Sequence, residues 1–251
     1  MLSWAEQRKL LLLFWIVVFL VAILSVYGFF TFYRGASCSN NVKDGNERGI
    51  DCGGSCARVC RADVLLPVIN FVRTLEVADG VWGAVAYGEN PNAGAGARNV
   101  PYVFKLYDEE NLLLYERHGI AFIPPRKVFA VFEGKMFSGS RTPARATFEF
   151  LKEPVFEHIV EPELSLDTKD FEADEHGSSL KAILTNPTRN TIEGIGAVAL
   201  LFGTDGNITG ASATFVSKLL AGSSAMLIFT WPRELEHPAR TEILYTVPGR
   251  P

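Results

Sequence analysis

Cysteine is absent from most of this chain. All four cysteines lie between Cys38 and Cys60, and none follows. The long remainder therefore has no Cys…Trp…Cys pattern of the antibody-domain kind, and its core must rest on aromatic and β-branched packing. Strong charge of one sign is missing too: 24 Lys and Arg stand against 28 Asp and Glu. With no basic stripe, nucleic acid is not expected as a partner. With no block of like charge, a charged disordered tail is not expected. Histidine is scarce, and His118, His158, His176 and His237 are all remote in sequence from the cysteines. No G-x-S-x-G, H-E-x-x-H or phosphate-binding G-x-x-x-x-G-K-[ST] occurs, so no catalytic constellation supports an enzyme and no cofactor is implied.

One long apolar run is present. Leu10 to Phe32 carries no charge and no proline, and exceeds the roughly 20 residues needed to cross a bilayer. A cleaved signal peptide usually has an apolar region of only about 7–15 residues. Arg34 also occupies the −3 position for cleavage after Ala36. Gly35-Ala36-Ser37-Cys38 has a lipoprotein-like look, but Arg34 stands where an apolar residue should lead into it. An uncleaved signal-anchor is therefore expected. Arg8 and Lys9 favour a cytoplasmic amino terminus. Cysteines directly after the span favour an oxidising compartment for the rest.

The cysteines are spaced x13, x3 and x3. Sequence leaves all three disulfide pairings open. Such a segment has little core, so crosslinks would supply its order. Two metal readings compete. Cys52, Cys56 and Cys60 recur every four residues, which on a helix would align three thiols for a soft metal such as copper. Gly53-Gly54 and an oxidising compartment oppose this. Asp44, Asn46, Glu47 and Asp51 offer oxygens for a calcium-type ion, against the simpler reading that they shape turns.

The segment resembles a short cysteine-rich repeat of secreted and surface proteins, C-x-N-G-x-x-x-G-x-E-x-G-x-D-C-G-G-x-C-x-x-C. Cys38, Asn40, Gly45, Glu47, Gly49, Asp51, Cys52, Gly53, Gly54, Cys56 and Cys60 match it. Asn41 replaces a glycine, a mild change because asparagine tolerates a left-handed backbone. Three residues rather than two separate the last cysteines, which bears on how Cys60 closes.

Beyond Cys60 the composition turns to Val, Ile, Phe, Tyr and Thr in short runs. Val81–Tyr87, Tyr102–Tyr107, Leu112–Glu116, Val128–Phe132 and Ala144–Phe150 read as strands. No segment there has a long helical period. The order recurs: Asn90-Pro91 with Asn186-Pro187, Leu106-Tyr107-Asp108 with Leu201-Phe202-Gly203, Phe122 with Phe215, and Val131-Phe132 with Leu227-Ile228-Phe229. These offsets lie between 93 and 97 residues, so a duplicated domain is expected. Asp205-Gly206-Asn207 reads as a hairpin turn, and Asp108-Glu109-Glu110-Asn111 takes its place in the first copy. Gly94-Ala95-Gly96 reads as a long hairpin loop. The 91–99 segment and Ile123-Pro124-Pro125-Arg126 look exposed. Trp82 and Trp231 are expected over the cores. Asn207-Ile208-Thr209 is a glycosylation sequon whose asparagine the hairpin already explains.

Phe104-Lys105-Leu106-Tyr107-Asp108 spells F-x-L-Y-D. The first copy resembles the small extracytoplasmic domains named for that motif, and residues 164–247 resemble them more loosely. The resemblance implies immunoglobulin-like sandwiches in the cell envelope, with Phe104, Leu106, Tyr107 and Asp108 as the family motif. It implies no active site.

The expected fold is thus mainly β: two tandem immunoglobulin-like β-sandwich domains after one transmembrane helix and a short cysteine-rich module. The divisions are 1–9 cytoplasmic, 10–33 transmembrane, 34–62 disulfide-linked stalk, 63–153 first sandwich and 154–251 second sandwich. The expected function is non-enzymatic: a single-pass protein of the cell membrane displays the sandwiches for protein interaction or envelope structure, with a protein partner in the envelope. The alternative is a tethered metal binder using Cys52, Cys56 and Cys60.

Overall fold

In a computed structural model, residues 4–32 and 37–248 are described. The expected end of the span at residue 33, and Arg34, Gly35 and Ala36 of the cleavage and lipidation readings, lie outside them. The chain is mainly β and divides into two units, residues 1–60 and 61–251.

In the first unit, helix α1 spans Trp4–Phe32. Within it, Gln7–Phe30 is long and apolar enough to cross a membrane by length and composition. Leu, Val, Ile and Phe occupy every side of it, so it has no polar face to turn to water. The cysteine segment follows, with no helix in residues 37–60.

In the second unit, β1 (Val68–Ala78), β2 (Val81–Glu89) and β5 (Val128–Ser138) form one antiparallel sheet, ordered β1-β2-β5. β3 (Ala95–Tyr107), β4 (Leu113–Ile123) and β6 (Arg145–Phe150) form another, ordered β4-β3-β6. The two sheets face each other across one core. Small Ala84 and Ala86 from β2 leave room for Tyr102, Phe104 and Leu106 from β3 and Phe148 from β6. The aromatic rings interlock, with Phe104 and Phe148 centroids 4.9 Å apart and Phe148 and Phe150 5.0 Å apart.

The same arrangement follows once more. β8 (Ser165–Asp174), β9 (Gly177–Thr185) and β12 (Ser224–Trp231) pair in the order β12-β9-β8. β10 (Ile192–Phe202), β11 (Ile208–Leu219) and β13 (Arg240–Thr246) pair in the order β11-β10-β13. β9 alternates half-buried and buried residues along its whole length, the period a half-buried strand requires. Leu180, Leu184, Leu227, Phe229 and Trp231 pack against Ile195, Ala197 and Leu201.

Three expectations change. β7 (Phe156–His158) pairs with Ala95–Ala97 of β3, so residues 154–158 complete the first sandwich instead of opening the second. Ala95 and Gly96 are ladder residues, not a hairpin loop, and Ala95, Gly96 and Ala97 are buried. A Cβ on Gly96 would lie 2.7 Å from the Ile123 carbonyl oxygen, which is why the small residues stand there. Ile123 and Pro124 are buried as well.

The sandwiches also share a third core. Leu75 and Val85, from the outer face of the first sheet, pack with Leu200, Phe202 and Ala211 of β10 and β11. Tyr87, Phe132, Val198 and Leu244 close around them. This explains two runs that break alternation. Gly83-Ala84-Val85-Ala86 and Ala199-Leu200-Leu201-Phe202 are continuously buried, because both faces of those strands are covered.

Candidate functional site

The cysteine module is held by two disulfides, Cys38–Cys56 and Cys52–Cys60. Closing loops of sequence separation 18 and 8 stabilises by roughly 3 kcal/mol each on a chain-entropy basis. No cysteine among the described residues is free. The thiolate reading of Cys52, Cys56 and Cys60 therefore has no thiolate to use. The helix it needed is missing because Gly53 and Gly54 take left-handed φ of 72° and 63°. A Cβ at Gly54 would fall 2.1 Å from the Asn46 carbonyl oxygen. The D-C-G-G sequence is thus a packing requirement.

The oxygen cluster is turned to backbone amides. Glu47 is buried, and its Oε2 accepts from the N–H groups of Asp44 (3.3 Å) and Asp51 (3.2 Å). Asp51 Oδ1 accepts from Asn40 N–H (2.9 Å) and its Oδ2 from Asn41 N–H (2.9 Å). Asp44 accepts from Ser37 N–H and the Asn40 amide, and Asn46 from Ser55. Asn41 has a φ of 59°, the left-handed turn that asparagine tolerates. Glu47 Oε1 lies 3.3 Å from Cys56 Sγ, but a disulfide sulfur offers no anion to an ion. These oxygens fold the loop.

The F-x-L-Y-D residues are structural in the same way. Phe104 and Leu106 are fully buried between the sheets. Tyr107 faces outward beneath the Arg145 guanidinium, 4.4 Å from its ring centre. Asp108 closes the β3–β4 turn, its Oδ1 accepting from Leu112 N–H at 2.8 Å and its Oδ2 from Arg141. Burial alone would raise its carboxyl. The Leu112 amide and the Arg141 guanidinium outweigh that and hold it below its ordinary value. The Asp205–Asn207 turn occupies the same place between β10 and β11. There the Asn207 side chain and N–H donate to Asp205 and lower its carboxyl likewise.

Asn90 and Asn186 end β2 and β9 and are both fully buried. Asn90 Nδ2 donates to the Ala95 and Pro124 carbonyls at 2.8 and 2.7 Å. Asn186 Nδ2 donates to the Asn190, Leu219 and Leu220 carbonyls. In each case the buried side chain ties the strand it ends to neighbouring backbone: Asn90 to the start of β3 and the β4–β5 turn, Asn186 to the loop after β9 and the end of β11.

Glu133 accepts from Tyr102 Oη at 2.7 Å, whereas Glu149 is exposed near Lys105. Burial, and then that hydrogen bond, raise the Tyr102 hydroxyl. His118 lies exposed beside Glu116. Trp231 is buried in its core and donates from Nε1 to the Ala211 carbonyl at 3.0 Å, and Trp82 packs half-buried on the first core.

Sequence reasoning missed the latches across the third core. Tyr87 Oη donates to Glu242 at 3.0 Å, Arg233 donates to Glu76 at 3.2 Å, and Arg98 Nε donates to the Pro248 carbonyl at 2.6 Å. Burial first, then the Glu242 contact, push the Tyr87 hydroxyl up to about 12. The continuous burial of β2 and β10 was the available signal. The partners, 150 to 157 residues apart, left none.

No protein-family model and no curated protein matches the chain.

Proposed function

We propose that this is a single-pass, membrane-anchored extracytoplasmic protein, with its amino terminus cytoplasmic. It displays a pair of immunoglobulin-like sandwiches of the F-x-L-Y-D type to a protein partner in the cell envelope, without chemistry of its own. The observation that carries the reading is the order of parts in the first unit. A span-length apolar helix, Gln7–Phe30, is followed directly by a segment whose four cysteines are all oxidised. Disulfides persist on the oxidising side of a membrane.

Further support comes from the strand order. In each sandwich the first, second and fifth strands share one sheet, and the third pairs with the sixth in the other, as in immunoglobulin-type folds. The buried asparagines end equivalent strands, β2 and β9. Duplication of one domain accounts for both features.

The test uses intact cells carrying the full chain with a tag at each end. External protease should remove the carboxy-terminal tag and spare the amino-terminal one, and maleimide without reductant should label no thiol. The intact mass should include the span. A protected carboxy-terminal tag, or four reactive thiols, would sink the proposal. Loss of residues before Ser37 would make the helix a leader and remove the anchor. Crosslinking in membranes then seeks the partner.

A further inference from the structure

Where the two sandwiches meet, a cleft of 640 Å³ opens beside the third core. Val77 and Phe132 of the first sandwich and Ala211 and Pro232 of the second contribute apolar walls, and Thr230 adds a hydroxyl. That volume and that mixed lining, at a junction between domains, suit a small organic molecule. Its charged groups are unequal. Glu172 is engaged by Lys181 at 2.9 Å, and Asp174 accepts from His176 N–H at 2.8 Å. Lys135 also lines the cleft, and its ammonium makes no ion pair or hydrogen bond among the described residues.

The backbone delivers Lys135 there by an irregularity. Trp82 pairs with Phe137 and Ala84 with Glu133, so Gly134, Lys135 and Met136 all stand opposite Gly83. The bulge sits close on that glycine, where a Cβ would be 2.5 Å from the Glu133 carbonyl oxygen. It turns Met136 into the core and puts Lys135 at a φ of 53°. A lysine in the left-handed region is strained backbone, and strain of this kind collects at ligand sites. The cleft and the strained, unpaired cation are independent observations that coincide.

We propose that this cleft binds a small amphipathic carboxylate, its apolar body between the sandwiches and its anionic head on Lys135. The inference does not depend on the membrane anchor or on a protein partner.

The probe is radiolabelled octanoate, with neutral octanamide as its isosteric control. Both are measured by equilibrium dialysis against the full-length protein in mild non-ionic detergent, with empty micelles subtracted. Saturable binding at one site per chain is expected, with octanamide about tenfold weaker. Lys135→Ala should lose the same factor, and Lys135→Arg should retain most of the affinity. Thr230→Trp, which fills the cleft from an exposed position on β12, should abolish binding and leave the melting temperature near that of the parent. The proposal is overturned by any of three results: no saturable octanoate binding, equal affinity for the amide, or Lys135→Ala binding as tightly as the parent.

Discussion

Leu200→Ala tests whether the two sandwiches fold as one body. Leu200 is fully buried, not within its own sandwich but in the third core, beside Leu75 and Val85 of the first. Truncation removes buried methyl groups and leaves a cavity that two rigid sheets cannot fill. Buried leucine-to-alanine changes cost about 2–5 kcal/mol, and with well-anchored walls about 3 kcal/mol is expected here. For a body of this size each kcal/mol lowers the melting temperature by roughly 2–4 °C, so the fall should be about 6–12 °C. The form of the transition matters more than its midpoint. Calorimetry of the full chain in mild detergent should show one cooperative transition for residues 61–251, and Leu200→Ala should broaden or split it. Leu227→Ala, in the second sandwich's own core, should lower the midpoint by a similar amount without splitting. Two transitions in the parent, or a Leu200→Ala shift below about 1 °C, would refute a shared core.

Gly54→Ala should abolish native cysteine pairing, because its Cβ would meet the Asn46 carbonyl oxygen at 2.1 Å. Gly206→Ala, at a φ of 77° with open space around it, should cost only about 1 kcal/mol; peptide mapping of disulfides and thermal melts separate the two. Asp108 has a lowered carboxyl, so its contribution is present above the unfolded value of about 4 and lost as pH falls through the folded one. Denaturant melts from pH 6 to pH 2 should therefore show less acid dependence in Asp108→Asn. Tyr87 moves in the opposite direction. Its hydroxyl is pushed up to about 12, so the stability it supports is whole below about pH 10 and is lost as pH rises through 12. Tyr87→Phe should remove that alkaline loss, as read by melts across the range.

Periodicity carried much of the fold into the sequence. β9 and β12 alternate in burial, turning Leu180, Ala182, Leu184, Leu227, Phe229 and Trp231 inward, although Met226 and Ile228 on the other face of β12 are exposed. Punctuation was equally legible: Asp205-Gly206-Asn207 and Asp108–Asn111 both turn the chain between neighbouring strands. Legibility failed where a residue's surroundings came from distant chain. Gly94-Ala95-Gly96 has loop composition, yet β7 covers Ala95 and Gly96 and β3 runs through them. Only the small size of those residues hinted at close approach. The cysteine spacing allowed three pairings, and the close approach of Gly49 to the Cys52 and Cys60 sulfurs is a contact that no spacing rule encodes. Lys135 lies beyond the strand read over Val128–Phe132, and its place in a bulge of β5 depends on the partner strand's register.

The third core changes how the duplicated pattern should be understood. If the sandwiches were independent beads, Val85, Tyr87, Leu200 and Phe202 would all lie on solvent-facing sides of their sheets. A half-exposed antiparallel strand places polar residues there. The chain instead places apolar residues at those positions, and adds a hydrogen-bonded tyrosine and an Arg233–Glu76 pair at 3.2 Å beside them. Strand order therefore repeats sandwich by sandwich, whereas burial is continuous across the pair. It follows that any residue set formed at the junction, the Lys135 cleft included, depends on both copies. Neither sandwich expressed alone should reproduce it, since each would expose an apolar face where the other now sits.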